Sequence, residues 1–403
     1  MHAKSFLRSG HWPTLLASFL YFDVSFMVWG LLGVLVNYIA SDLPLTPFQK
    51  GLLVATPILG GALLRLPMGI LADRWGGKRT GITGLVLTIV PLMLGWLWAD
   101  SYAELLFAGF LLGMAGASFA VALPLASRWY PLEHQGLALG IAGAGNSGTV
   151  FAALLAPRLA ELIGWHAVLA AAAGLVVVTL ALFAYLAKDS PHQPPPRKLA
   201  EYSVPLSRRD CWRFCAFYCV TFGGFVGLAN FLTLFFHEQY AMSRVTAGTL
   251  TALCVFSGSM LRPVGGLLAD RFGGARLLAV VFAAVALLMG AVATLPPLQA
   301  AVVLIVLAMG LLGAGNGIVF QLIPQRFQRE IGIVTGLVGA AGGVGGFLLP
   351  SVLGLAKGWT GSFSLGLAAF ALVAFGSALG VWNAIRIWRV SPEERLEPAP
   401  ASA

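Results

Sequence analysis

"GGALLRLPMGILADRWGGKR", residues 60–79, decides the fold. It reads as the second half of an apolar helix that ends on Asp73 and Arg74 and turns through Gly76 and Gly77, with one cation, Arg65, set among leucine, glycine and proline. The segment "LLRLPMGILADRWGGKR" (63–79) returns as "MLRPVGGLLADRFGGAR" (260–276). An offset of 197 residues pairs Arg65 with Arg262, Gly69 with Gly266, Asp73 with Asp270, Arg74 with Arg271, Gly76 with Gly273 and Gly77 with Gly274. The same offset pairs Tyr21 with Tyr218, Gly30 with Gly227, Gly51 with Gly248 and Gly116 with Gly313, so the whole chain is a tandem repeat.

The surrounding composition sets the medium. Of 403 residues, 58% are hydrophobic and 10% charged, with mean hydropathy +0.86, whereas soluble domains carry about a quarter charged residues. Apolar runs long enough to cross hydrocarbon recur along the chain. Twelve are expected, near 12–40, 48–72, 81–99, 103–127, 136–163, 167–187, 210–237, 246–269, 277–296, 298–324, 332–356 and 361–388. The first run outlasts the apolar core of a signal peptide and lacks a clear cleavage site, so it reads as a retained helix. The fold class is therefore an all-α membrane protein with twelve transmembrane helices in two pseudo-symmetric six-helix bundles. Expected limits are 1–187 for the first bundle, 188–209 for a linker rich in proline and charge ("KDSPHQPPPRKLAEYSVPLSRR"), 210–390 for the second bundle and 391–403 for a tail.

Lysines and arginines set the orientation. With the N-terminus in the cytoplasm, 19 of them fall on the cytoplasmic side and only Lys50, Arg158, Arg244 and Lys357 on the other, while Arg65 and Arg262 lie inside helices. That is the positive-inside pattern. A multi-pass protein of the cell's inner membrane with both termini cytoplasmic is expected. The basic pI of 9.7 is explained by these loops and their contact with lipid headgroups, so no nucleic-acid partner is expected.

Arg65 lies eight residues before Asp73, which places it about 12 Å inside the helix end at 1.5 Å per residue, near the middle of a roughly 30 Å hydrocarbon core. A midplane arginine costs at least about 2.5 kcal/mol. Six helices per repeat give both halves the same orientation, so Arg65 and Arg262 face one central cavity at similar depth. Two readings explain them. An acidic neighbour neutralises each, or the pair binds an anion. Asp23 in "YFDVSFMVWG" (21–30) is the one other obvious mid-helix charge, and one acid cannot neutralise two arginines. A planar, permanently charged guanidinium suits a flat oxyanion.

The repeated "GILADRWGGKR" and "GLLADRFGGAR" resemble the signature of the major facilitator superfamily, over essentially the whole chain. In that resemblance Gly69, Asp73, Arg74, Gly266, Asp270 and Arg271 form gating motifs, their glycines allowing close packing and a sharp turn. Helix 5 carries "GLALGIAGAGNSGTV" (136–150) and helix 11 "GIVTGLVGAAGGVGGFLLP" (332–350). Together with the two arginines they resemble the nitrate/nitrite porter family within that superfamily. The resemblance implies secondary transport of nitrate and nitrite, with Arg65, Arg262, Asn146, Tyr218 and the ring pair Phe119 and Phe222 holding the anion. Phe119 and Phe222 taken alone are equally explained as packing residues, and the glycine segments as close helix contacts. Tyr218 and Phe222 stand one helical turn apart and share a face.

Asp23 is read two ways, as a proton carrier or as a hydrogen-bonded or ionic brace, with one of the arginines as a candidate partner. Both nitrate/nitrite exchange and proton-coupled nitrate uptake therefore stand open, with exchange favoured. Tyr21 is expected to line the same cavity. Transport of small carboxylates such as formate or oxalate, and anion sensing without transport, are the competing functions. Cys211, Cys215 and Cys219 recur every four residues on helix 7, but no histidine or acid completes a metal site. No cofactor, metal or catalytic residue is expected, and the expected state is a monomer in the lipid bilayer with nitrate and nitrite, and protons under symport, as its small partners.

Overall fold

The computed structural model describes residue 6 and residues 9–191, 204–327 and 331–390. Most of the linker and the whole 391–403 tail therefore lie outside the described residues. Among the described residues twelve membrane-length helices run α1 (Trp12–Asp42), α2 (Pro47–Trp75), α3 (Gly77–Leu97), α4 (Tyr102–Ser127), α5 (Leu137–Ile163) and α6 (Trp165–Leu186). The second set is α7 (Arg209–Tyr240), α8 (Arg244–Phe272), α9 (Gly274–Ala293), α10 (Leu298–Arg326), α11 (Gly332–Thr360) and α12 (Ser364–Trp388). The expected spans hold, with ends shifted by a few residues.

Local chemistry sets the ends. Thr46 and Gln49 close a capping box ahead of α2, and Ser101 and Glu104 do the same for α4, each satisfying backbone donors that a helix start leaves free. The sharp turns after α2 and α8 fall on Gly76 and Gly273 at φ +89° and +88°, a region that costs other residues strain. Asp189 accepts a hydrogen bond from the Lys78 amide at the start of α3, 2.9 Å.

Central placement follows the repeat. The most buried windows belong to α7 and α1, at 94% and 78%, and these two are mates across the 197-residue offset. By contrast α6, α8, α9 and α12 are 39% buried and present leucine, valine and phenylalanine outward, as lipid requires. Three helices are interrupted beside the molecular centre. α1 breaks at Gly30, α4 at Ala117 and Ser118, and α5 passes through a 3-10 turn at Ala144–Ser147. Such breaks are tolerated at membrane depth where protein or a cavity surrounds them.

The halves meet unevenly. α2 packs along α11, α5 along α8, and α1 against α7, and these contacts concentrate toward the face opposite the chain termini. There Lys50 Nζ pairs with Glu238 Oε1 at 2.6 Å, Asn37 Nδ2 donates to the Thr233 carbonyl at 3.1 Å, and a Cβ on Gly51 would stand 2.5 Å from the Pro350 carbonyl oxygen. Toward the terminal face a Cβ at Gly140, Gly143 or Gly332 would meet nothing within 4 Å.

The gating motifs depart from expectation at two glycines. The nearest atoms to a Cβ on Gly69 and Gly266 stand at 3.8 Å, ordinary contact distance, so neither is held to glycine by packing here. Asp73 pairs with Arg128 at 2.6 Å within the first half, and Asp270 accepts from Gln321 Nε2 at 2.8 Å within the second. Arg74 and Arg271 are exposed at the helix ends, where cations offset the helix dipole.

Candidate functional site

Arg65 is 2% exposed. Its Nε donates to the Gly116 carbonyl at 3.2 Å and one terminal nitrogen to the Gly339 carbonyl at 2.6 Å. The first bond reaches the break in α4, whose freed carbonyls are available because the helix stops there. The second crosses to α11 in the other half. The remaining terminal nitrogen, NH2, is buried without a hydrogen-bond partner. A buried donor of this kind carries a desolvation cost unless something accepts from it.

Aromatic rings enclose the guanidinium. Its Cζ lies 5.7 Å from the Trp29 ring centre, 5.6 Å from Phe119 and 4.8 Å from Phe222. Arg262 approaches the same Phe119 ring at 5.7 Å and Phe320 at 5.7 Å. Phe119 is therefore shared by the two cations, as mates on α2 and α8 require if both face the centre. Ring faces bear negative charge and attract cations. They cannot accept a second full hydrogen bond from each donor.

Tyr218 and Phe222 stack one turn apart on α7 with centroids 5.0 Å apart and planes 4° from parallel. Gly342 on α11 makes that possible, because a Cβ there would stand 2.5 Å from Tyr218 and 3.0 Å from Phe222. Tyr218 meets Phe320 edge to face at 5.0 Å, and it lies within electrostatic reach of both arginines. Five of the expected residues, Arg65, Arg262, Phe119, Tyr218 and Phe222, thus come together around one chamber.

Asn146 is 3% exposed and sits in the 3-10 turn of α5, which packs against α1 and α8. Its carbonyl accepts from Thr149 Oγ1 at 2.8 Å. Its neighbour Ser147 donates to Asp23 at 2.8 Å. No ion pair joins Asp23, or any other carboxylate among the described residues, to Arg65 or Arg262. The ionic brace from Asp23 to an arginine therefore lacks its contact, whereas a hydrogen-bonded brace is present in the bond from Ser147 of α5 to Asp23 of α1, and neutral carbonyls rather than acids accept from Arg65.

Tyr21 corrects an expectation. Its ring packs against Phe183 of α6 at 5.1 Å and its hydroxyl lies by Gly84 of α3, so it turns away from the chamber that its mate Tyr218 lines. Trp29 and Phe320 were not read from the sequence. The offset pairs Phe119 with Asn316 and Phe222 with Ser25, so the repeat carries the arginines but not the rings. Phe320, one turn beyond Asn316 on α10, takes the place opposite Phe119, with centroids 6.0 Å apart. Among the described residues no cluster of histidine, cysteine or acid forms a metal site.

Two arginines, the rings around them and one buried guanidinium nitrogen without a partner are thus grouped where the halves meet.

Comparisons with known proteins agree with this architecture. The family model of the Major Facilitator Superfamily matches residues 17–350. A "Nitrite extrusion protein" of Bacillus subtilis is 33% identical over 364 residues, covering 89% of this chain and 90% of the relative. A "Probable nitrate/nitrite transporter NarK2" of Mycobacterium tuberculosis is 38% identical, over 82% and 85% of the two chains. A "Probable nitrate/nitrite antiporter NarK1" of Thermus thermophilus is 35% identical, over 85% of each. A crystal structure of a bacterial homologue of the human lysosomal transporter Spinster, in an inward-facing and occupied conformation, superposes with TM-score 0.70 at 18% identity, covering 96% of this chain and 98% of that one. That likeness concerns the fold alone. On the match of the superfamily model and of these relatives across most of its length, the chain belongs to the nitrate/nitrite porter family of the major facilitator superfamily.

Proposed function

We propose that this membrane transporter exchanges nitrate against nitrite by alternating access, with the anion held between Phe119 and Phe222 and bound at its oxygens by Arg65, Arg262, Tyr218 and Asn146. The observation that carries the reading is the unpartnered, buried NH2 of Arg65, in a chamber with a second arginine and no neutralising carboxylate among the described residues. Weakly hydrated, delocalised anions lose least on entering such a place, and a bidentate guanidinium orients them.

The halves, 1–187 and 210–390, rock about the chamber while 188–209 links them, Asp73 and Asp270 securing the ends that move. The protein works as a monomer in the inner membrane with both termini in the cytoplasm. Asp23 is held by Ser147 and not by an arginine, so protonating it would unpair no buried cation, and proton-coupled nitrate uptake is the second reading.

Sealed proteoliposomes test both. Nitrate uptake should rise with internal nitrite at fixed pH. A response to an inward proton gradient alone, without internal nitrite, would replace exchange by symport. Uptake of formate or oxalate in place of nitrate would change the cargo, and anion binding with no flux would make the protein a sensor.

A further inference from the structure

A second basic cavity opens on the face opposite the termini. It measures about 250 Å³ and is lined by Asn37, Ala40 and Ser41 of α1, Lys50 of α2, His237 and Glu238 of α7, and Arg244 of α8. Both halves contribute. Lys50 pairs with Glu238 across the boundary at 2.6 Å, and the two side chains remain 20% and 19% exposed. Arg244 lies over the Tyr38 ring at 4.7 Å and forms no ion pair among the described residues. His237 Nδ1 is engaged by the Met242 carbonyl at 2.6 Å, which leaves the other ring nitrogen for the cavity. Two cations thus face one acid.

We infer that this cavity is an entry site for a small monovalent oxyanion, which competes with Glu238 for Lys50 and so loosens the contact that holds the outer ends of the halves together. The placement rests on the cytoplasmic assignment of the termini given above. A partly exposed ion pair is worth about 0–1 kcal/mol and is readily exchanged for another anion. Arg244, already held against Tyr38 and unpaired, supplies the surplus charge that draws the anion in. Once Glu238 is released, no ion pair among the described residues joins α2 to α7 at that end. Arrival of an outside anion then favours the conformation that admits it to the chamber. An unloaded transporter keeps its outer side shut.

The test uses the full chain in lipid nanodiscs with spin labels at Pro44→Cys and Thr246→Cys, both exposed on that face, after replacement of the four native cysteines. Distances are measured by double electron-electron resonance against nitrate at constant ionic strength, with the central site disabled by Arg65→Gln. Arg262→Gln serves as an independent second background should the first fold poorly. Nitrate should raise the long-distance population about threefold, the scale of one partly exposed ion pair. Arg244→Gln should remove that response, and Glu238→Gln should produce the long-distance population without nitrate. Arg158→Gln, a cation of the same face outside the cavity, should leave the response intact. The inference is overturned if nitrate has no effect with the central site disabled, if the response survives Arg244→Gln, or if Arg158→Gln removes it equally. Failure of nitrate transport in unlabelled wild-type protein would strike the central reading instead, and the two failures are told apart.

Discussion

Replacing Arg65 by lysine keeps the charge and removes the geometry. The arginine donates from Nε to Gly116, from one terminal nitrogen to Gly339, and holds its second terminal nitrogen free. A lysine ammonium is a point charge on a flexible stem and cannot reach two backbone carbonyls in different helices while presenting a third donor in a fixed plane. The donor aimed at the anion is lost or misdirected. A hydrogen bond to a charged group contributes about 1.5–3 kcal/mol, and each 1.4 kcal/mol is tenfold in affinity, so the dissociation constant for nitrate should rise about 10- to 150-fold. Calorimetric titration of purified protein with nitrate measures it, alongside exchange in proteoliposomes. Because the Gly339 bond also ties α2 to α11, thermal unfolding without anion separates lost stability from lost binding. Arg262→Lys should show the same affinity loss without that tie. Wild-type nitrate affinity in a well-folded Arg65→Lys protein would refute the reasoning, since the unpartnered nitrogen would then serve no anion.

Phe119→Ala should impair nitrate binding and exchange more than Leu87→Ala, because Phe119 contacts both guanidinium groups whereas Leu87 is 43% exposed on the outside of α3; Phe222→Ala should behave like Phe119→Ala, and normal transport in both would make the rings packing residues. Gly342→Ala should displace the stacked Tyr218 and Phe222, costing about 1–3 kcal/mol as overpacking does, read as weaker nitrate binding; unchanged affinity would show that the stack is not needed in place. Asp23→Asn should leave nitrate affinity and nitrate/nitrite exchange measurable, since no arginine loses a partner, and should abolish any acceleration of uptake by an inward proton gradient. Proton-stimulated uptake that survives this change would remove Asp23 from coupling.

Much of this protein was legible without coordinates because the bilayer simplifies the physics. Backbone groups in hydrocarbon must bond within helices, so twelve apolar runs and a 197-residue offset were enough for the helices, the repeat and a pair of arginines at one depth. What pairwise offset cannot carry is which side of a helix meets which neighbour. Tyr21 and Tyr218 occupy matched places in the repeat, yet one packs against Phe183 and the other lines the chamber. Phe119 matches Asn316, so the opposing ring arrives from Phe320, one turn along. Arg65 finds neutral carbonyls at a helix break and in the other half, partners that have no side-chain signature at all. Gly69 and Gly266, read as packing glycines, prove to have room. The sequence by itself determined the twelve membrane spans and the charges that must be explained, since burial in lipid penalises polar groups one residue at a time. Only the tertiary structure decided how those charges are met, because hydrogen bonding and ring contact depend on backbones and side chains far apart in the chain.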